Sequence, residues 1–219
     1  MLVAAVVVAV LAILLVADRV AVIYAADRVA ARIADRGFAA KPHVRIAGFP
    51  FLTQVAGRRL TKVVISAAGR RRGPVEVKRL DITASGVRVS FGCTASTAAR
   101  LRGTALVGFA GLAGMAGAPA LTIAADGADR VKITIGLGLV SATATARVTR
   151  AGSGGIRIAV ISAGGIPVAV LGSLHDITVP MPALPLGMTI QGVSVTGEGV
   201  LVHLGGQNVR FSAAQRRRE

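Results

Sequence analysis

The residues of this chain able to move protons or bind metals are few and scattered: ten acidic side chains, three histidines and one cysteine among 219 residues. General acid–base work needs carboxylates or imidazoles held within reach of one proton, and no spacing here singles out such a pair. Asp126 and Asp129 flank Gly127 as turn residues do, while Asp18, Asp27 and Asp35 fall inside a helical pattern. His43, His175 and His203 make neither H-E-x-x-H nor H-x-x-E-H. His175-Asp176 reads as a local polar pair at a strand end, and His203, between Val202 and Leu204, points to the polar side of a strand. A lone Cys93 excludes an intrachain disulfide and a cysteine metal cluster, and no sequence neighbour activates it. G-x-S-x-G and G-x-x-x-x-G-K-[ST] are absent, so the sequence names no catalytic residue and no cofactor.

What these side chains do offer is charge beside apolar surface. The net charge of +16 attracts polyanions, with clusters at Arg58-Arg59, Arg70 to Arg72 and Arg216 to Arg218. Zinc-finger spacing, RNP-like aromatic strands and a helix-turn-helix pair are missing, and with no Trp, one Tyr and six Phe there is little for bases to stack on. Nucleic acid is therefore not the expected partner; anionic phospholipids or phosphoglycolipids at a membrane surface are, with a merely solvated basic face as the bland alternative. Phe49, Pro50, Phe51 and Leu52 form an apolar knob after Gly48, read either as core or rim packing or as direct contact with acyl chains or bilayer. Arg58 and Arg59 follow closely enough to meet a headgroup, or simply occupy a turn after Gly57. Further along, the glycine-rich stretch 103–118 carries Phe109, Leu112 and Met115; it is either a short strand and a weak helix or a flexible apolar flap.

The elements that must position these residues begin with Met1 to Ala17, a run with no polar side chain that ends at Asp18-Arg19. As a helix it covers about 25 Å, the short end of what a bilayer core needs. No Lys or Arg precedes it and no A-x-A sequence follows it directly, which favours a retained anchor over a cleaved signal peptide. Val22, Ala26, Val29 and Ile33 continue on one helical stripe, with Arg28, Arg32, Asp35 and Arg36 opposite and Gly37 as a stop. This predicts one helix to about Arg36, serving as a stalk against the following domain or as an ordinary amphipathic first helix.

Beyond Pro42 the pattern is β. Leu60 to Ser66 reads as a strand, with a basic turn or loop at Gly69 to Pro74. Apolar alternation changes phase at Lys78-Arg79 and again across Gly192, each implying a bulge or twist. Val131 to Val148 is one bent strand or two joined tightly, and the segments on either side of Gly197-Glu198-Gly199 are a hairpin. Pro180, Pro182 and Pro185 make a rim loop or extended crossing. The expected organisation is α+β: residues 1–36 as anchor or signal segment continuing as amphipathic helix, 37–213 as a single β-rich domain, and 214–219 as a basic tail.

Two stretches carry a resemblance. Val44 to Ser66, with its core G-F-P-F-L-T-Q at 48–54, and Leu184 to Phe211 (LPLGMTIQGVSVTGEGVLVHLGGQNVRF) together resemble the LmeA-like phospholipid-binding family of actinobacterial envelopes. The resemblance implies an elongated, curved antiparallel sheet of the tubular lipid-binding kind. It also implies noncatalytic binding or transfer of phospholipid or glycolipid at the extracytoplasmic face, in support of envelope lipid maintenance. The competing readings are a structural envelope protein with a protein partner and an accessory to a glycolipid-processing enzyme.

Overall fold

The computed structural model describes residues 2–34, 41–72, 75–90, 95–115, 121–136, 141–152, 155–164, 176–180 and 186–212. In chain order the elements are α1 (Leu2–Ala34), β1 (His43–Ala47), α2 (Phe51–Ala56), β2 (Arg59–Arg72), β3 (Val75–Val89), β4 (Ala95–Gly108) and α3 (Phe109–Met115). There follow β5 (Leu121–Ala125), β6 (Arg130–Gly136), β7 (Ser141–Ala151), β8 (Gly155–Ala163), β9 (Asp176–Pro180), β10 (Leu186–Thr196) and β11 (Gly199–Ser212). The strands make two open antiparallel sheets, ordered β1-β2-β3-β4-β11-β10 and β5-β6-β7-β8-β9. Helix plus antiparallel sheet is the α+β architecture the sequence predicts.

α1 is free of Gly and Pro and rich in Val, Leu and Ala. β-branched residues weaken a helix in water, but in an apolar medium a helix satisfies every backbone group internally. Its stretch Ala5–Ala31 is long and apolar enough to cross a membrane, compatible with an anchor or with a signal sequence. The side chains from Val6 to Val16 stand open to the surroundings, whereas the second half packs on β1 and α2, with Ala30 buried and Asp27 paired to Lys41.

Strand register sorts the six-stranded sheet into two unlike faces, because directly opposed residues share a side. One row runs Val44, Ile65, Ile82, Gly103, Leu204, Ile190, and another Ala67, Leu80, Ala105, Val202, Val193. On the reverse side the rows run His43, Ser66, Asp81, Thr104, His203 and Arg45, Val64, Thr83, Arg102, Gly205, Thr189. The apolar face meets the second sheet through β10 and β7; Val131, Ala146, Val148 and Ile156 pack with Ile190, Val195, Val200, Val202 and Leu204 in one core. An exposed Arg157–Asp176 pair ties β8 to β9, with Arg157 Nε 2.8 Å from Asp176 Oδ1. The hydrogen bond and charge of Asp176 hold the Arg157 pKa above its ordinary value.

Both phase changes in the sequence are register shifts, at Val77/Arg79 between β3 and β4 and at Ile190/Gly192 between β10 and β11. The open choice at 131–148 resolves as two antiparallel strands, β6 and β7, and the hairpin after Thr196 is present. The basic segment after Gly69 is not a loop from its start: Arg70, Arg71 and Arg72 pair with Val77, Glu76 and Val75, so β2 carries the basic triplet as strand. Ladder hydrogen bonds to β3 keep these residues extended whatever their side chains. Gly37, Cys93, His175, Pro182, Pro185 and the 214–219 tail lie outside the described residues.

Candidate functional site

The G-F-P-F-L-T-Q stretch folds as a turn and the one-and-a-half-turn helix α2, and nearly every residue in it has a physical task. Gly48 has φ 121°, and a Cβ there would lie 2.5 Å from Gln54 Nε2. Only glycine meets both demands. The Phe49–Pro50 peptide is cis, and Pro50 is the N-cap of α2. Its carbonyl accepts hydrogen bonds from Thr53 Oγ1 at 2.9 Å and from Gln54 Nε2 at 3.3 Å. Gln54 Oε1 accepts from the Thr61 amide at 2.8 Å, so this one side chain joins the start of α2 to β2.

A proline N-cap has no side-chain oxygen for the free amides of the first turn. α1 supplies one instead. Asp18 Oδ1 accepts a hydrogen bond from the Leu52 amide at 2.8 Å, and Asp18 is only 3% exposed. Its Oδ2 is buried with no hydrogen-bond partner among the described residues. The guanidinium of Arg19 sits 5.0 Å from the centre of the Phe49 ring, a cation–π distance. Asp18 and Arg19, which end the apolar run, therefore both hold the turn, one at the Leu52 amide and the other at the Phe49 ring.

The grip divides the four knob residues. Phe51 is buried, whereas Phe49 and Leu52 remain 57% and 43% exposed, and Val55, one turn on from Leu52, is 48% exposed. Three apolar side chains thus open to the surroundings beside the residues that close the apolar run of α1. Arg58, with φ 52°, and Arg59 follow at once, exposed at the start of β2. Arg59 opposes Arg88, and Arg88 opposes Thr97, which fixes α2 at one end of the sheet.

The second group of candidates is elsewhere. β4 runs from the row of Thr97 to Val107, ten residues or roughly 33 Å further, before α3 begins. Phe109 and Leu112 are half-buried on α3 and pack against the two-sheet core, and Met115 is the last residue of that helix. The stretch is a strand followed by a short helix, and it does not converge with Phe49. Between β1, which α1 covers, and the strands that the second sheet covers, Val63, Ile65 and Ile82 on β2 and β3 stay half-buried on the apolar face. A cavity of about 730 Å³ opens on the opposite, polar face, and its lining includes Asp81, Arg100, Arg102, Gln191 and His203. Among the described residues no group of three His, Cys, Asp or Glu could hold a metal ion.

Asp18, Arg19 and Val55 escaped the sequence reading, and so did the polar-face arginines Arg100 and Arg102. The one available signal was Asp18 itself, a carboxylate interrupting an apolar helix, which has to be met by some donor. A family model described as LmeA-like phospholipid-binding matches residues 16–205. No curated protein and no solved structure matches.

Proposed function

The chain belongs to the LmeA-like phospholipid-binding family, and from that membership we propose a noncatalytic binder or carrier of anionic phospholipid, held by α1 at the extracytoplasmic face of a membrane. The observation that carries this reading is the Asp18–Leu52 hydrogen bond, which fixes the exposed side chains of Phe49, Leu52 and Val55 at the end of the apolar run. An apolar run that crosses a bilayer leaves that junction at the headgroup level, where aromatic and aliphatic side chains are favourable and Arg58 and Arg59 meet anionic headgroups. Acyl chains have the half-buried Val63, Ile65 and Ile82 surface to lie on, and each buried CH₂ contributes roughly 0.8 kcal/mol. Phe109, Leu112 and Met115, at the far end of the same sheet, serve as the distal limit of that surface.

Native mass spectrometry of the full chain released from a gentle detergent tests the proposal. Co-purification of one or two phospholipids, and their recovery after delipidation and incubation with vesicles, is the expected result. A chain that retains and takes up none would overturn it, and a stoichiometric protein partner in place of lipid would point to scaffolding.

A further inference from the structure

The polar face of the six-stranded sheet holds a feature that acyl binding leaves unused. Arg100 and Arg102 stand two residues apart on β4, hence on one face and about 7 Å from each other. Both line the 730 Å³ cavity, and among the described residues neither side chain makes an ion pair or a hydrogen bond. The strand neighbours of Arg102 are Thr83 and Gly205, so on the Gly205 side the directly opposed residue has no side chain of its own.

Beyond Gly205 the wall is made by β10. A Cβ on Gly205 would come within 2.8 Å of Gln191 Cγ, so the Gln191 side chain arches over it. Gln191 Nε2 donates to Thr189 Oγ1 at 2.8 Å, and Thr189 Oγ1 donates to the Gly205 carbonyl at 3.3 Å. Gly206 must be glycine for the same approach of strands, since a Cβ would lie 2.1 Å from the Gly187 carbonyl. Thr83 adds a hydroxyl from β3 and Thr104 one from β4 itself, and Asp81 is the one acidic side chain among the lining residues.

We propose that this groove is a binding site for a phosphate ester. Two guanidiniums on one face offer N–H donors to a tetrahedral anion, and the threonine hydroxyls and Gln191 amide satisfy oxygens the guanidiniums do not reach. The guanidiniums, hydroxyls and amide of the lining suit the polar part of a ligand. Arg100 lies three residues, about 10 Å, from the row of Thr97 that adjoins α2, so the ester comes from a soluble phosphorylated molecule or from a membrane headgroup.

The test is calorimetric titration of the full chain, in a maltoside detergent, with glycerol 3-phosphate. Saturable binding is expected, with no binding of glycerol. Arg102→Gln should weaken it by at least about tenfold, the scale of a lost charge-assisted contact, and the double variant Arg100→Gln/Arg102→Gln should abolish it. Arg130→Gln, which removes the same charge on the second sheet, should leave it unchanged. Absence of binding, equal affinity in a double variant with unaltered circular dichroism, or equal weakening by Arg130→Gln would overturn the site. Competition by nanodiscs containing phosphatidic acid, against phosphatidylcholine alone, assigns the ester to a headgroup; no competition assigns it to a soluble molecule. Lipid retained by the double variant separates this site from the acyl-binding surface.

Discussion

A carboxylate in a buried position destabilises a protein unless its lone pairs are used, and Asp18 uses one of them on the Leu52 amide. Because Pro50 brings no capping oxygen, Asp18→Ala leaves that amide unsatisfied at the base of α2. The expected local cost is about 1 to 2 kcal/mol, which multiplies the open population of the turn roughly five- to thirty-fold. Hydrogen exchange at Leu52 in nanodisc-held protein should accelerate by that factor in Asp18→Ala and much less in Asp18→Asn, whose amide oxygen keeps the acceptor. Unchanged exchange in Asp18→Ala would show that the turn holds without α1. Phe49 provides a second residue-level reading, since the chain has no Trp and Phe49→Trp becomes the sole indole. A Trp keeps the aromatic face under Arg19. Its fluorescence should be quenched by lipids brominated close to the headgroup end of the acyl chain, and indifference to brominated lipid would place Phe49 away from the bilayer.

At the scale of elements, the sheet depends on a few residues that break its own period. Gly86 interrupts β3 with φ 61°, and a Cβ there would lie 3.0 Å from the Ala99 Cβ on β4. Gly86→Ala should therefore cost roughly 1–2 kcal/mol for the left-handed backbone. For a chain of this size that lowers the unfolding midpoint by about 2–8 °C, measurable by circular dichroism; an unshifted midpoint would mean that β3 relaxes freely around this position. Strand-scale features of this kind were legible beforehand because a period of two turns any slip into a visible change of phase, as at Lys78-Arg79 and Gly192. α2 was not legible, being too short for a helical period and framed only by an apolar knob after Gly48. Nor was the distance between Phe49 and Phe109, which follows from the pairing of Arg59 with Arg88 and of Arg88 with Thr97 rather than from spacing along the chain. The Asp18–Leu52 contact spans 34 positions and joins two helices, and no local pattern encodes such a meeting.

Across the whole molecule, apolar and charged surfaces are segregated by the two faces of one sheet. The second sheet and α1 cover parts of the apolar face, while Arg45, Arg100 and Arg102 share the other, in a chain of net charge +16. In the function proposed, attraction to an anionic surface and burial of acyl chains are different interactions, and salt separates them. Screening shortens from about 8 Å at 0.15 M to about 3 Å at 1 M, whereas burial of hydrocarbon is not weakened by salt. Raising sodium chloride to 1 M should thus remove most of the preference for vesicles containing phosphatidylglycerol over phosphatidylcholine in uptake of a fluorescent phospholipid. Lipid already bound should stay through the same wash, as counted by native mass spectrometry. A preference that survives 1 M salt would assign selectivity to close contacts inside the binding surface, and lipid lost in the wash would mean that charge rather than burial holds it.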